Sequence, residues 1–178
     1  MSIDGPQLLA FYSGIGVDHR NRSIEQVLRL SISAMEDTHD YIQWLFPLDV
    51  CSSVTPNAPH VDDTCKTAFR RDPALRATLL RSLDKMLAFY GMKLARGPTG
   101  DDVVRAAFFA KRAPHWLTLG NHNYLRITRM LKSLVLLGHH QLAASLLKCL
   151  ETMYLEHGQA IGTTTLAYWR HAVPPNES

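Results

Sequence analysis

The sequence predicts an all-α protein, a single-domain helical bundle of about seven to nine helices around one buried central helix. Three observations carry this reading. Apolar residues recur at the three- and four-residue spacing of a helix face. Ser, Asp and Asn stand where helix starts need caps, and Gly or Pro stands where helices must stop. Alternating strand patterns are nearly absent.

Taken in order, the spacing first predicts a short helix over Gln7 to Tyr12, closed at Gly14. Ser23-Ile24-Glu25-Gln26 is a capping-box pattern and opens a short helix to Leu30. Ser33-Ala34-Met35-Glu36 repeats the pattern and opens a helix reaching Phe46, just before Pro47. Pro47 to His60 holds three prolines and reads as a loop. A helix over Val61 to Arg71 follows. Asp72 then serves as N-cap with Pro73 in the first helical position, and that helix runs to Tyr90, where Gly91 stops it. Lys93 to Asp102 reads as a Gly/Pro-containing connection and as the most mobile segment. Val103 to Lys111 reads as a short helix, ended by Pro114. Asn121 caps a helix from His122 to Leu137, with Gly138 as its stop; the next runs from His139 to His157, stopped by Gly158. A last helix covers Thr164 to Ala172, ahead of Pro174-Pro175. Connections this short do not separate independent domains, so residues 1–178 are expected to form one.

At 178 residues, 46% hydrophobic and 20% charged, the chain is long enough to bury a core and has the composition of a globular protein. No apolar run approaches the ~18 residues needed to cross a bilayer, and Met1 to Pro6 lacks the basic start and apolar block of a secretory signal. Cys51, Cys65 and Cys149 are odd in number and widely spaced, with no CxxC, which favours free thiols in a reducing compartment. The expected location is therefore the cytoplasm, or the nucleus in a eukaryote. The net charge of +3 is unevenly spread: from Val103 to Leu150 there is no Asp or Glu, whereas Arg105, Lys111, Arg112, Arg126, Arg129, Lys132 and Lys148 fall there. Either the halves neutralise each other or this half offers an anion-binding surface; the apolar helices carrying these cations favour the first.

Two helix faces carry polar groups. On the helix from His122, a stripe of His122, Arg126, Arg129 and Ser133 lies opposite Tyr124, Ile127, Leu131, Leu134 and Val135, with Asn123 beside it. Leu125, Met130, Leu136 and Leu137 flank the stripe, so the helix reads as central, and buried guanidinium groups there require partners. On the helix from Ser33, Glu36, Asp40 and Gln43 share a face, with His39 at its edge and Trp44 nearby. Glu36 and Asp40 against Arg126 and Arg129 would make charge-assisted hydrogen bonds. These groups either satisfy one another and fix helix register, or line a ligand cleft made of Glu36, His39, Asp40, Gln43, Trp44, His122, Asn123, Arg126 and Arg129; structural networks are common mimics of sites. Glu36-x-x-His39 has the spacing of half a di-iron site, but the sequence has no second Glu-x-x-His, so no metal or other cofactor is expected. No P-loop, dinucleotide fingerprint or Ser-His-Asp order is present. Cys149, on a leucine-rich helix, reads as core; His139-His140 reads as an exposed helix start; and Trp169 reads as an aromatic docked on the core.

The segment Thr38-His39-Asp40-Tyr41-Ile42-Gln43-Trp44-Leu45-Phe46-Pro47, with Asn121-His122-Asn123-Tyr124-Leu125-Arg126-Ile127-Thr128-Arg129-Met130-Leu131, resembles the shared region of the opioid growth factor receptor family. Phe11-Tyr12, Ala68-Phe69-Arg70, Asp72-Pro73 and Leu87-Ala88-Phe89-Tyr90-Gly91 extend the match, and Tyr168-Trp169 fits more loosely, for coverage of residues 11–172. The resemblance implies an all-helical domain and, for the vertebrate member, binding of the pentapeptide Met-enkephalin in growth control with nuclear behaviour. This chain is expected to be a stand-alone form of that domain, without the vertebrate member's long C-terminal extension, so its ligand need not be an opioid peptide. The resemblance supplies no catalytic residues.

The favoured function is a small-ligand or short-peptide-binding domain, with no membrane partner. The alternative is an enzyme that uses His39 or His122 as acid or base and Arg126 and Arg129 to hold an anionic substrate. A nucleic-acid-binding module on the acid-free half ranks last, because several of its cations are expected to face inward. The sequence names neither the ligand nor the oligomeric state.

Overall fold

Capping side chains and glycine stops set several of the element ends in the computed structural model, which describes residues 5–50, 58–98 and 100–175. In chain order the elements are α1 (Gly5–Tyr12), α2 (Ile24–Leu28), α3 (Ile32–Asp37), α4 (Tyr41–Leu45), α5 (Asp63–Arg71), α6 (Pro73–Tyr90), β1 (Met92–Gly97), β2 (Gly100–Arg105), α7 (Phe109–Trp116), α8 (Asn123–Leu136), α9 (His140–Ile161) and α10 (Thr163–Ala172). Among the described residues the fold is thus ten helices and a two-stranded antiparallel sheet. The chain is mixed α/β, and the all-α expectation is corrected.

The correction lies between Met92 and Arg105, where sequence reading places a connection and the start of a helix. The two strands pair from Met92 opposite Arg105 to Gly97 opposite Gly100, with Arg96 facing Asp101. Each strand is short and changes exposure without strict alternation, so the period-two signal is weak. Val103-Val104 is a β-branched pair with low helix preference, which leaves the helix to begin only at Phe109. Pro114 sits inside α7 rather than after it; it and Ala110, whose carbonyl it deprives of a donor, are both solvent-exposed. Gly91 ends α6 as expected, at φ +82, and a Cβ there would lie 2.8 Å from the Phe109 Cα. Only glycine suits that turn.

A second correction concerns the helix expected over Ser33 to Phe46. Ser31, not Ser33, is the N-cap, accepting the Ala34 N–H, and α3 closes at an extended Thr38. The chain restarts as α4 after Asp40. Glu36 and His39 consequently do not share a helix turn. The Ser23 capping box forms with Gln26 in full. Residues 51–57 of the Pro47–His60 loop, Cys51 included, lie outside the described residues, as do Met1 to Asp4; the described flanks meet in a parallel bridge between Leu48 and His60.

Two compact units divide the chain within α6, residues 1–83 and 84–178. In the first, α1 packs on α5, with the Tyr12 ring edge-on to Phe69 at 4.7 Å and the Phe11 ring edge-on to Trp44 at 5.0 Å. The Tyr12 hydroxyl donates to the Leu45 carbonyl, and burial pushes its pKa far up. In the second, α8, α9 and α10 pack on one another and β2 lies along α9. α8 buries Tyr124, Ile127, Met130, Leu131 and Leu134 but exposes Leu125. α9 passes through a break in helical geometry at His157 (φ −125, ψ 24) where sequence reading ends the helix. Trp169 docks on the core as expected, its indole N–H donating to the Tyr124 carbonyl at 3.2 Å. His139 is buried rather than exposed. No helix of the described residues is long and apolar enough to cross a membrane.

Candidate functional site

The first unit contains a charge network that sequence reading missed. It grows from the loop Asp18-His19-Arg20-Asn21-Arg22, which folds back because Asn21 adopts a left-handed φ of +58. Asp18 Oδ1 accepts the Arg20 and Arg22 N–H groups, both at 2.9 Å. Its Oδ2 takes Nε and Nη2 of Arg22, both at 2.6 Å, and that Nη2 also reaches Asp40 Oδ1 at 3.0 Å. Burial alone would lower the Arg22 pKa; Asp18 and Asp40 outweigh it and raise the pKa overall. Arg20 Nε pairs with Asp40 Oδ2 as well.

His19 completes the network. Trp44 Nε1–H donates to His19 Nδ1 at 3.0 Å, with the two rings within 13° of coplanar, and His19 Nε2 lies 3.1 Å from Asp40 Oδ2. An accepting Nδ1 places the ring proton on Nε2, the nitrogen in close contact with the Asp40 carboxylate. The Trp44 indole thus takes up the Nδ1 lone pair of this histidine.

In the second unit, Asn121 Oδ1 accepts the Asn123 N–H at 3.0 Å and so caps α8 from one residue earlier than the element's own N-cap position. Asn123 is fully buried, and its Oδ1 accepts Arg126 Nη1 at 3.1 Å and the Tyr90 hydroxyl at 3.4 Å. Arg126 and Ser133 are buried on the same helix. Burial pushes the Arg129 pKa down to about 10.

The residues expected to line a cleft are therefore dispersed in character. Asp40, Trp44, Asn123 and Arg126 are buried, Glu36, Gln43 and Arg129 are half-buried, and His39 and His122 are exposed. Glu36, His39, Asp40, Gln43 and Trp44 fall in the first unit, and His122, Asn123, Arg126 and Arg129 in the second. Among the described residues no cluster of three His, Cys, Asp or Glu side chains is placed to hold a metal ion. Of the cations in the acid-free stretch, Arg105 pairs with Glu156 and Arg112 donates to the Phe89 carbonyl at 2.8 Å while lying over the Phe89 ring. Lys111, Lys132 and Lys148 are exposed.

The second unit also carries an open groove, built by the hairpin and therefore invisible to an all-helical reading. Ser145 on α9 joins the two elements: its Oγ accepts the Val103 N–H at 2.9 Å and donates to Asp102 Oδ1 at 3.0 Å. Farther along α9, Arg105 and Glu156 form a two-pronged pair at 2.8 Å on each prong. Between these ties lies a groove of about 380 Å³, lined by Asp102, Val103, Val104, Arg105, Ser145, Lys148, Cys149, Thr152 and Glu156. Burial pushes the Cys149 thiol pKa up, and its sulfur lies 3.9 Å from that of Met92, so it forms part of the floor. A second groove, about 740 Å³, lies between α9 and α10 against Tyr154, Leu155, Leu166 and Ala167, with Glu151 and Arg170 paired at its rim. Lys148 and Thr152 line both. Because Ser145 satisfies a strand-edge N–H that would otherwise lack a partner, Ser145→Ala is expected to lower stability by about 1 kcal/mol in urea unfolding. An unchanged midpoint would mean that water replaces the hydroxyl without loss.

Comparison with known proteins follows the sequence over most of its length. The model of a family described as the opioid growth factor receptor (OGFr) conserved region matches residues 8–177. The opioid growth factor receptor of Mus musculus is 38% identical over 141 residues, 78% of this chain and 22% of that protein. That of Homo sapiens is 36% identical over 141 residues, 78% of this chain and 20% of that protein. Opioid growth factor receptor-like protein 1 of Mus musculus is 37% identical over 134 residues, 70% of this chain and 27% of that protein. The chain thus spans about a fifth to a quarter of the length of these relatives. No solved structure matches.

Proposed function

The chain belongs to the opioid growth factor receptor conserved-region family, and from that premise we propose that it is a binding domain for a short peptide or small molecule. The relatives are named as receptors, which makes binding the reading to carry over; the ligand in their name stays with them. The observation that carries the proposal is the pair of grooves along α9, which share Lys148 and Thr152. Their volumes, about 380 and 740 Å³, fall in the range of ligand pockets, about 300–1,000 Å³. They combine apolar surface from Val103, Leu155 and Leu166 with polar groups from Ser145, Lys148 and Thr152.

The grooves support a ligand site on α9 ahead of the residues expected from sequence. Asp40 and Trp44 are already engaged with Arg20, Arg22 and His19, and Asn123 and Arg126 with each other. Free thiols at Cys65 and Cys149 support a cytoplasmic or nuclear setting.

The test is a thermal-shift screen of wild type and Thr152→Trp against metabolites, anions, nucleotides and short peptides including Met-enkephalin. Thr152 is exposed and lines both grooves, so an indole there obstructs each without entering the core. A ligand at a hundred times its Kd should stabilise wild type by about 2.7 kcal/mol, and Thr152→Trp should abolish that gain. Equal shifts in both proteins would place the ligand elsewhere. No shift with any compound would overturn the binding reading.

A further inference from the structure

Resting on the groove between β2 and α9 as a binding site, we propose that Arg105 is its carboxylate anchor and that Glu156 is the resident stand-in, displaced when a carboxylate-bearing ligand enters. The Arg105–Glu156 contact has the form such a ligand would adopt. Nη1 meets Oε2 and Nη2 meets Oε1, each at 2.8 Å, the parallel fork by which guanidinium recognises a planar carboxylate.

The two partners are held very differently. The Arg105 guanidinium carbon lies 4.7 Å from the centroid of the Phe109 ring, and its strand is tied to α9 through Ser145, so the cation stays in place without Glu156. Glu156 is half exposed and directly precedes His157, where the backbone of α9 leaves helical geometry. Its carboxylate is the more exposed side of the pair, the side that solvent can receive.

Charge points the same way. Arg105 and Lys148 face Asp102 and Glu156 across the groove, which is therefore neutral as it stands. Asp102 is engaged by Ser145, and Lys148 carries no ion pair among the described residues. Rotating Glu156 outward leaves the lining with one net positive charge, above an apolar floor of Val103 and Cys149. The complementary ligand is an anionic group on an apolar body.

The probe is benzoate, with benzamide as its neutral counterpart and inorganic phosphate as a non-planar anion. Each is titrated into the full chain and followed by amide chemical shifts, for wild type, Glu156→Gln, Arg105→Gln and Arg105→Lys. Removing the internal competitor should tighten benzoate roughly two- to fivefold, the factor that the net worth of an exposed ion pair corresponds to. Arg105→Gln should lose benzoate, Arg105→Lys should keep a charge but lose the gain given by the fork, and benzamide should respond to none of them. Benzoate that binds Glu156→Gln no more tightly than wild type, or that binds Arg105→Gln equally well, overturns the anchor. A larger gain for phosphate than for benzoate overturns the carboxylate assignment. If Thr152→Trp blocks ligands while Glu156→Gln changes nothing, the groove stands and only the anchor falls; if Thr152→Trp blocks none, the groove itself is rejected.

Discussion

Arg22→Ala should destabilise the first unit by about 3 kcal/mol, because it strands a buried carboxylate. Asp18 is 2% exposed and gives Oδ2 wholly to the Arg22 fork. Removing one partner of a buried pair costs about 3–5 kcal/mol, and the slight exposure of Arg22 puts this case at the lower end. Arg22→Lys should recover only part, since one ammonium does not reproduce Nε and Nη2 serving two carboxylates. The informative control is Asp18→Asn combined with Arg22→Met. Asparagine keeps Oδ1 for the two loop N–H groups while removing the charge, so the double variant should be more stable than Arg22→Ala alone. The Trp44 indole N–H, bonded to His19, reports on this unit by hydrogen exchange. If Arg22→Ala leaves that exchange and the unfolding midpoint unchanged, the network contributes no stability and its role must be sought elsewhere.

The network also explains why the face shared by Glu36, Asp40 and Gln43 could not be read correctly. A local pattern offers two serines, Ser31 and Ser33, each able to cap a helix, and only the second is followed by an acid at the capping-box position. The chain uses the first, and the helix then breaks so that the Asp40 carboxylate meets Arg20 and Arg22 from a loop eighteen residues earlier. That is a long-range charge interaction overriding local periodicity. The caps at Ser23 and Asn121 and the stop at Gly91, by contrast, are local and were legible. The hairpin lies between these cases. Gly97-Pro98 and Gly100 were read as a loop, although glycines flanking two residues, the facing Arg96 and Asp101, and Val103-Val104 are strand-turn-strand signals. Missing the hairpin meant missing the groove, because β2 is one of its walls.

Trp169→Ala should cost the second unit about 3–5 kcal/mol, the range for truncating a fully buried tryptophan. Three contributions combine. The side chain is completely buried, its N–H donates to the Tyr124 carbonyl, and its ring stands edge-on to Tyr124 at 5.7 Å. Tyr124 in turn stands edge-on to Trp116, and Trp116 to Tyr90, so Trp169 ends a chain of rings that links α6, α7, α8 and α10. Trp169→Phe keeps most of the apolar area and loses the hydrogen bond, and should cost about 1–2 kcal/mol. The consequence reaches the groove, since α10 supplies Leu166, Ala167 and Arg170 to the wall opposite α9. Trp169→Ala should therefore weaken any ligand bound between α9 and α10 even at temperatures where the second unit remains folded. The Trp116 indole N–H, bonded to the Tyr90 carbonyl, provides the stability readout by hydrogen exchange. A folded Trp169→Ala protein that binds as wild type does would show that α10 is dispensable to the site, and would confine the ligand to the groove between β2 and α9, beside Arg105.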